Sequence, residues 1–210
     1  VSNILATKQA KTFSPEQLTK LLRFIDRNSK MPARDKLIVL LSFKAGLRVS
    51  EIAKIDLTAM TDVEGNINRV IRIFTTVGKK ERSREIPMHR DIHDALIEFR
   101  RVFRDAEFVA ISSQPFRYKE PNAPYDPRLY RRMSVNALTV YYHWLLSEAG
   151  FEGASSHSGR RTFGTELARR ANNYHNSLLD VQNLLGHARL DTTQRYLEPS
   201  KNTSDMVNSL

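Results

Sequence analysis

Apolar residues recur at helical spacing over most of this chain and alternate in one short stretch. Phe13-Ser14-Pro15-Glu16-Gln17 reads as a helix start. Ser14 can cap, Pro15 suits the first helical position because it has no N–H to leave unpaired, and Gln17 completes a capping box. Leu18, Leu21, Leu22 and Ile25 then mark one face of that helix. A second helix is predicted from Pro32 through Leu37, Leu40 and Leu41 until Gly46 stops it. Val49, Ile52 and Ala53 restart the pattern at once, which places Arg48 at a helix N-terminus.

Between Arg69 and Pro87 the period shortens to two. Ile71, Ile73, Thr75 and Val77 alternate, a charged turn follows and a short return strand reaches Ile86. This predicts a β-hairpin with Gly78 to Arg82 at its tip. Helical patterning returns from Ile92 to Phe103. Ser112 to Arg132 holds Pro115, Pro121, Pro124 and Pro127 among charged and aromatic residues and reads as an ordered loop or excursion. Ser134 then caps a helix ending at Gly150, and the remaining residues read as helical, with breaks near Asn172, Gly186 and Pro199. No internal repeat or low-complexity tract is visible. The expected fold is mainly α with a small antiparallel β-hairpin or sheet, an α+β arrangement.

Composition narrows the partner. The 210 residues, 40% of them hydrophobic, suffice for a buried core, and 33 Lys plus Arg against 23 Asp plus Glu leave a charge of +10. With a pI near 10.0, that surplus favours a polyanion. A membrane surface is also anionic, but no stretch is apolar enough to span a bilayer and the polar start is no signal peptide, so nucleic acid is the better reading. The absence of cysteine excludes disulfides, thiolate catalysis and zinc ribbons, and is compatible with a reducing cytoplasm. Charge alone does not separate a DNA-binding protein from a merely basic one.

Five segments hold candidate chemistry, and each taken singly has an ordinary structural explanation. Arg48 has Glu51 one helical turn on, close enough for an orienting ion pair or a plain surface salt bridge. Lys79 follows Gly78 at the hairpin tip, where an ammonium can reach a ligand or simply face water. His157-Ser158-Gly159-Arg160-Arg161-Thr162 sets a histidine and an arginine on one face if the segment is helical. Leu185-Gly186-His187 ends a helix and turns out an imidazole, which would also interact favourably with the helix dipole. Tyr196 sits nine residues beyond His187.

In this order and spacing the segments resemble the signature of the tyrosine recombinase (phage integrase) family. That signature is an early arginine, a hairpin lysine, a His-x-x-Arg pair, a Leu-Gly-His turn and a tyrosine nine residues later. All six positions hold the expected residue types, and the resemblance covers Phe13 to Tyr196. One departure is that many members carry a leucine and a second histidine at the positions of Gly159 and Arg161, which bears on packing. The other is the proline-containing excursion, since many members are more compact there.

The resemblance implies a mostly helical catalytic domain with a small hairpin sheet, and DNA cleavage and rejoining through a covalent 3′-phosphotyrosine without metal, nucleotide or other cofactor. It makes Tyr196 the nucleophile and Lys79 the general acid, sets Arg48, His157, Arg160 and His187 around the phosphate, and leaves Glu51 in support. Lys80, Arg82 and Arg84 near the hairpin tip, with Arg161, are expected DNA contacts. The implied partner is a double-stranded recombination site on which copies of the chain assemble, as a tetrameric synapse, in the cytoplasm, for a bacterial or phage-encoded protein. Residues 1–12 are expected to form a linker or tail, 13–196 the catalytic domain and 197–210 a tail docking on a neighbouring subunit. Members of the family usually carry a separate N-terminal helical domain that clamps the DNA. The short stretch before the first helix and the valine start suggest either the catalytic part of a longer protein or a naturally short recombinase.

These residue types also suit the chemistry on their own terms. A tyrosine titrates near pH 10, so its phenolate at pH 7 costs roughly 4 kcal/mol, which a proton acceptor such as His157 and nearby cations can offset. Planar guanidiniums match the charge that develops on non-bridging phosphate oxygens. No Gly-x-x-x-x-Gly-Lys-Ser/Thr loop occurs, in keeping with a transfer that conserves bond energy. Three rivals remain. Leu178 to Gly186 with Leu190 to Tyr196 could form the helix-turn-helix of a non-enzymatic regulator, which leaves Arg48 and Lys79 idle. A metal-dependent nuclease or transposase needs convergent carboxylates, for which no ligand motif is seen. A type IB topoisomerase shares the tyrosine chemistry, but the Leu-Gly-His turn favours a recombinase.

Overall fold

The computed structural model describes residues 10–77, 80–115, 130–171 and 177–194. The chain divides into two compact units, Val1–Phe163 and Gly164–Leu210. In the first, α1 (Pro15–Asn28) starts as the sequence predicts: Ser14 accepts from the Gln17 N–H, and the Gln17 side chain accepts from the Ser14 N–H. Leu18, Leu21 and Ile25 are buried. Helix α2 (Pro32–Ala45) packs against α1 and, more extensively, against α4 (Arg90–Val102). Eleven of its fourteen residues are buried, so it has no solvent face and its sequence shows almost no polar stripe. Gly46 ends it in the left-handed conformation, and α3 (Val49–Ile52) follows with Arg48 at its N-cap.

Strands β1 (Val70–Val77) and β2 (Lys80–Pro87) form the expected antiparallel hairpin, with Ile71, Ile73 and Ile86 buried. The tip is shorter than the sequence suggests. Pairing continues to Val77↔Lys80, so Lys80, Glu81 and Arg82 belong to β2 and only Gly78 and Lys79 separate the strands. Both of those residues lie outside the described ones, as do the side chains of 75–82.

The excursion is also more regular at its ends than a loop. Strands β3 (Ile111–Pro115) and β4 (Tyr130–Arg132) pair antiparallel as a second small sheet, and residues 116–129 between them lie outside the described ones. Sequence reading misses this sheet because Ser-Ser-Gln-Pro shows no alternation and β4 is three residues long. Ser134 caps α5 (Val135–Glu148) as expected, and Gly150 follows with φ 81°.

Helix α6 (Ser158–Arg170) begins in the first unit and runs into the second, which also holds α7 (Leu178–Leu185) and α8 (Leu190–Gln194) packed on each other. The break at Gly186 is present, with φ 62°, whereas those expected at Asn172 and Pro199 lie outside the described residues.

A buried polar cluster ties the first unit together. The fully buried Asp35 carboxylate accepts from Arg34 Nε at 2.8 Å and Nη2 at 2.7 Å, and from the hydroxyls of Ser29 and Tyr141. Arg34 Nη1 donates to the Ile111 carbonyl at 2.8 Å. One ion pair therefore links the turn after α1, α2, β3 and α5. Burial, reinforced by the Asp35 charge and hydrogen bond, pushes the Tyr141 phenol up to about 12. Asp35→Ala strands a buried guanidinium and is expected to lower unfolding free energy by about 3–5 kcal/mol in urea titrations. Asp26→Ala removes an exposed carboxylate that shares Lys36 with Glu98, and should cost less than about 1 kcal/mol. Similar losses in the two variants would show that Asp35 is not a buried counter-ion.

Candidate functional site

The site is built on the elbow between α2 and α3. Gly46 takes φ 64°, a region that favours glycine, and a Cβ there would also lie 2.3 Å from the Phe163 ring. Glycine thus serves both the turn and the close approach of α6. Across this contact Arg160 Nη1 donates to the Gly46 carbonyl at 2.6 Å, with Arg160 almost wholly buried. A second close approach lies one residue earlier, where a Cβ on Gly159 would meet Ser42 Oγ at 2.4 Å and the Phe43 ring at 2.7 Å. This explains the departure from the usual leucine: the neighbouring Ser42 and Phe43 of α2 fill the space that such a side chain would occupy.

Two residues beyond Gly46 stands Arg48. Its backbone N–H donates to Glu51 Oε2 at 2.8 Å and its Nη1 to Glu51 Oε1 at 3.0 Å, so the ion pair expected at this spacing is present. Arg84 of β2 meets the same carboxylate with both terminal nitrogens, each at 2.9 Å. The sequence suggested Arg84 only as a basic residue near the tip, and nothing in spacing reveals a partner 33 positions away. Burial pulls the Glu51 pKa upward, but the hydrogen bond and charge of Arg84, with those of Arg48, outweigh it and hold the carboxyl below its ordinary 4.5.

His157 precedes the first residue of α6, its carbonyl accepts from the Arg161 N–H at 2.9 Å, and its side chain is exposed. Arg161 is half-buried, with its Nε enclosed and without a hydrogen-bond partner.

In the second unit, the His187 N–H donates to the Gln182 carbonyl at 3.1 Å, and Gln182 Nε2 donates back to the His187 carbonyl at 3.0 Å. Its ring Nδ1 is hydrogen-bonded to the buried Thr193 hydroxyl at 2.9 Å. Thr193 is the residue that sequence reasoning overlooked. A hydroxyl six positions after the histidine, on the next helix, is a signal visible only once the helix-turn-helix geometry is known. Lys79 and Tyr196 lie outside the described residues. The structure thus brings Arg48, Glu51, Arg84 and Arg160 to one elbow, and holds His187 on a turn of its own. Among the described residues no cluster of three or more His, Asp or Glu could hold a metal ion, and no helix is long and apolar enough to cross a membrane.

The profile of the phage integrase family matches residues 11–203. The chain belongs to the phage integrase family. One relative in it is the tyrosine recombinase XerC of Mannheimia succiniciproducens, 30% identical over 205 residues that cover 92% of this chain and 59% of that protein. The chain spans about half the length of the curated relatives that it matches. Among solved structures, the XerH site-specific recombinase bound to difH substrate superposes with a TM-score of 0.63 at 22% identity, covering all of this chain and 56% of that one. The catalytic domain of bacteriophage HP1 integrase gives 0.59 at 16% identity, covering 96% of this chain and 95% of that domain. At such identities the likeness is one of fold, and it confirms the mostly helical architecture with small sheets that the family resemblance implies.

The lowered pKa of Glu51 has a measurable consequence. A carboxyl whose pKa falls on folding contributes stability above its unfolded value and loses it as pH drops through the folded value. The stability gap between wild type and Glu51→Gln in urea titrations should therefore be full at neutral pH and close progressively below pH 4.5. A gap unchanged into strong acid would show that Glu51 is not held as a carboxylate.

Proposed function

We propose that this chain is the catalytic part of a site-specific DNA recombinase that cuts and rejoins strands through a covalent 3′-phosphotyrosine. The observation that carries the reading is the α2–α3 elbow, where the Gly46 carbonyl holds Arg160 two residues from Arg48. Two guanidiniums separated by more than half the sequence can then address the two non-bridging oxygens of one phosphate. Family membership and the shared fold with the XerH site-specific recombinase bound to difH substrate support the same conclusion.

In this reading the Tyr196 oxygen attacks the scissile phosphorus in line. A P–O bond to the tyrosine forms as the bond to the deoxyribose 5′-oxygen breaks. The phenolic proton passes to neutral His157, directly or through the phosphate, and Lys79 supplies a proton to the departing 5′-oxygen. Arg48 and Arg160 stabilise the charge that builds on the phosphate, and His187, its ring fixed by Thr193, donates a further hydrogen bond from Nε2. Religation reverses these steps with a 5′-hydroxyl from another strand, so no nucleotide is consumed. Lys80, Arg82 and Arg161 contact the DNA backbone, copies of the chain assemble on the recombination site, and the reaction takes place in the cytoplasm. A type IB topoisomerase would share the chemistry, and the Leu185-Gly186-His187 turn favours recombination.

The role of Lys79 is separable from that of its neighbour Lys80. A 5′-bridging sulfur gives a leaving group that needs little protonation. Lys79→Ala is expected to cleave normal DNA slowly and to be largely rescued on the sulfur substrate in single-turnover assays. If Lys80→Ala shows that rescue and Lys79→Ala does not, the general acid is the other lysine.

The nucleophile is tested by covalent capture. On a substrate nicked beside the cleavage site, the short 5′-hydroxyl fragment diffuses away and the adduct accumulates. Tyr196→Phe should abolish the adduct while leaving DNA affinity nearly unchanged, because only the hydroxyl is lost. Peptide mapping of the wild-type adduct decides the matter: DNA on any other residue, or an undiminished adduct in Tyr196→Phe, rules the mechanism out.

A further inference from the structure

We propose that Arg84 is a positioning residue for Arg48, acting as the buried counter-ion of Glu51 so that the Arg48 guanidinium stays available to the scissile phosphate, and that Arg84 is not itself a DNA contact. The inference rests on the recombinase reading above. It departs from the expectation that the basic residues around the hairpin all face DNA.

The Glu51 carboxylate is saturated by four donors. Oε1 accepts from Arg84 Nη1 at 2.9 Å and Arg48 Nη1 at 3.0 Å, while Oε2 accepts from Arg84 Nη2 at 2.9 Å and the Arg48 backbone N–H at 2.8 Å. The two arginines contribute unequally. Arg84 offers a paired fork, the strongest geometry a carboxylate can accept, and its side chain is 11% exposed. Arg48 offers a single guanidinium nitrogen among the described residues, and its side chain is 36% exposed. The buried partner thus neutralises Glu51, and the exposed one only leans on it.

Removing Arg84 would not simply delete a contact. Glu51 is 6% exposed and cannot keep its charge unpaired, so the nearest remaining cation, Arg48, would be drawn into the vacated fork. Its guanidinium would then face the carboxylate in place of the phosphate. Arg84 also stands on β2, so the same carboxylate sets the register of the hairpin against the start of α3. The lowered pKa of Glu51 agrees with this assignment, since among the groups that lower it Arg84 ranks ahead of Arg48.

Two measurements separate this role from a DNA contact. The first is the salt dependence of affinity for a short duplex of arbitrary sequence, which needs no cleavage. Arg48→Met should reduce the log–log salt slope by about one, and Arg84→Met should leave it at the wild-type value. Arg84→Gln, which keeps a donor toward Glu51, reads the same slope if the methionine variant does not fold. The second is single-turnover cleavage of a nicked duplex bearing a candidate recombination site. Arg84→Met should slow cleavage on the order of 10²-fold with affinity unchanged, the cost of a misplaced reacting group. Adding Glu51→Gln should restore most of that loss, because no lone carboxylate remains to capture Arg48. A slope reduced by about one in the Arg84 variants, or no recovery in the double variant, overturns the proposal. Wild-type protein that binds duplex but forms no adduct on any nicked substrate counts against the recombinase reading instead, and the slopes still report where Arg84 faces.

Discussion

At Gly46 the chain must turn left-handed and let an aromatic ring approach where a Cβ would be, and only glycine meets both demands at once. That single position fixes three others. Its conformation ends α2 and sends Arg48 to the start of α3, its open side admits Phe163, and its carbonyl receives Arg160. The two candidate phosphate-binding arginines are consequently placed by backbone geometry and not by long, freely rotating side chains reaching across a surface. Since α2 is buried on nearly every side, the elbow inherits the rigidity of the core.

Rigidity alone would not leave a guanidinium usable. A buried carboxylate next to Arg48 orients it but also competes for it, and the competition is decided by how many other donors the carboxylate has. Glu51 has a complete fork from Arg84, so its hold on Arg48 is limited to one side-chain hydrogen bond and one from the backbone. His187 is oriented by a partner of its own, since the Thr193 hydroxyl occupies one ring nitrogen and thereby sets the direction of the other.

Much of this was legible in the sequence wherever the cause is local. Ser14-Pro15-Glu16-Gln17, the glycine stops at 46 and 186, the Arg48–Glu51 spacing and the alternating hairpin all follow from interactions within a few residues, and each is present. The second sheet was not legible because β3 and β4 lack alternation, and the hairpin tip was misjudged because charged residues pair in an edge strand as readily as they turn. Partners distant in sequence were hidden for a simpler reason. Arg84 and Thr193 announce nothing by type or spacing, and the close approach at Gly159 depends on which α2 residues face it. The grouping of the candidate segments follows only from family resemblance, since no local rule links positions 48 and 160.

A net charge does not distinguish cations that face solvent from cations neutralised in the core. A formal +10 points to a polyanion, yet it counts every arginine alike. Arg34 is committed to Asp35 and a carbonyl in the core, and Arg84 to Glu51. A cation already matched by a buried carboxylate adds little to the field outside, because the pair is nearly neutral at distances several times its own separation. In the recombinase reading proposed above, long-range attraction for DNA falls to exposed residues such as Lys20, Arg23 and Arg27 on α1, and the paired inner arginines add little to it. On that reading, long-range capture and short-range chemistry fall to different side chains. A substitution among the exposed set should alter encounter and salt response, and one at the elbow should alter the fate of the phosphate once it has arrived.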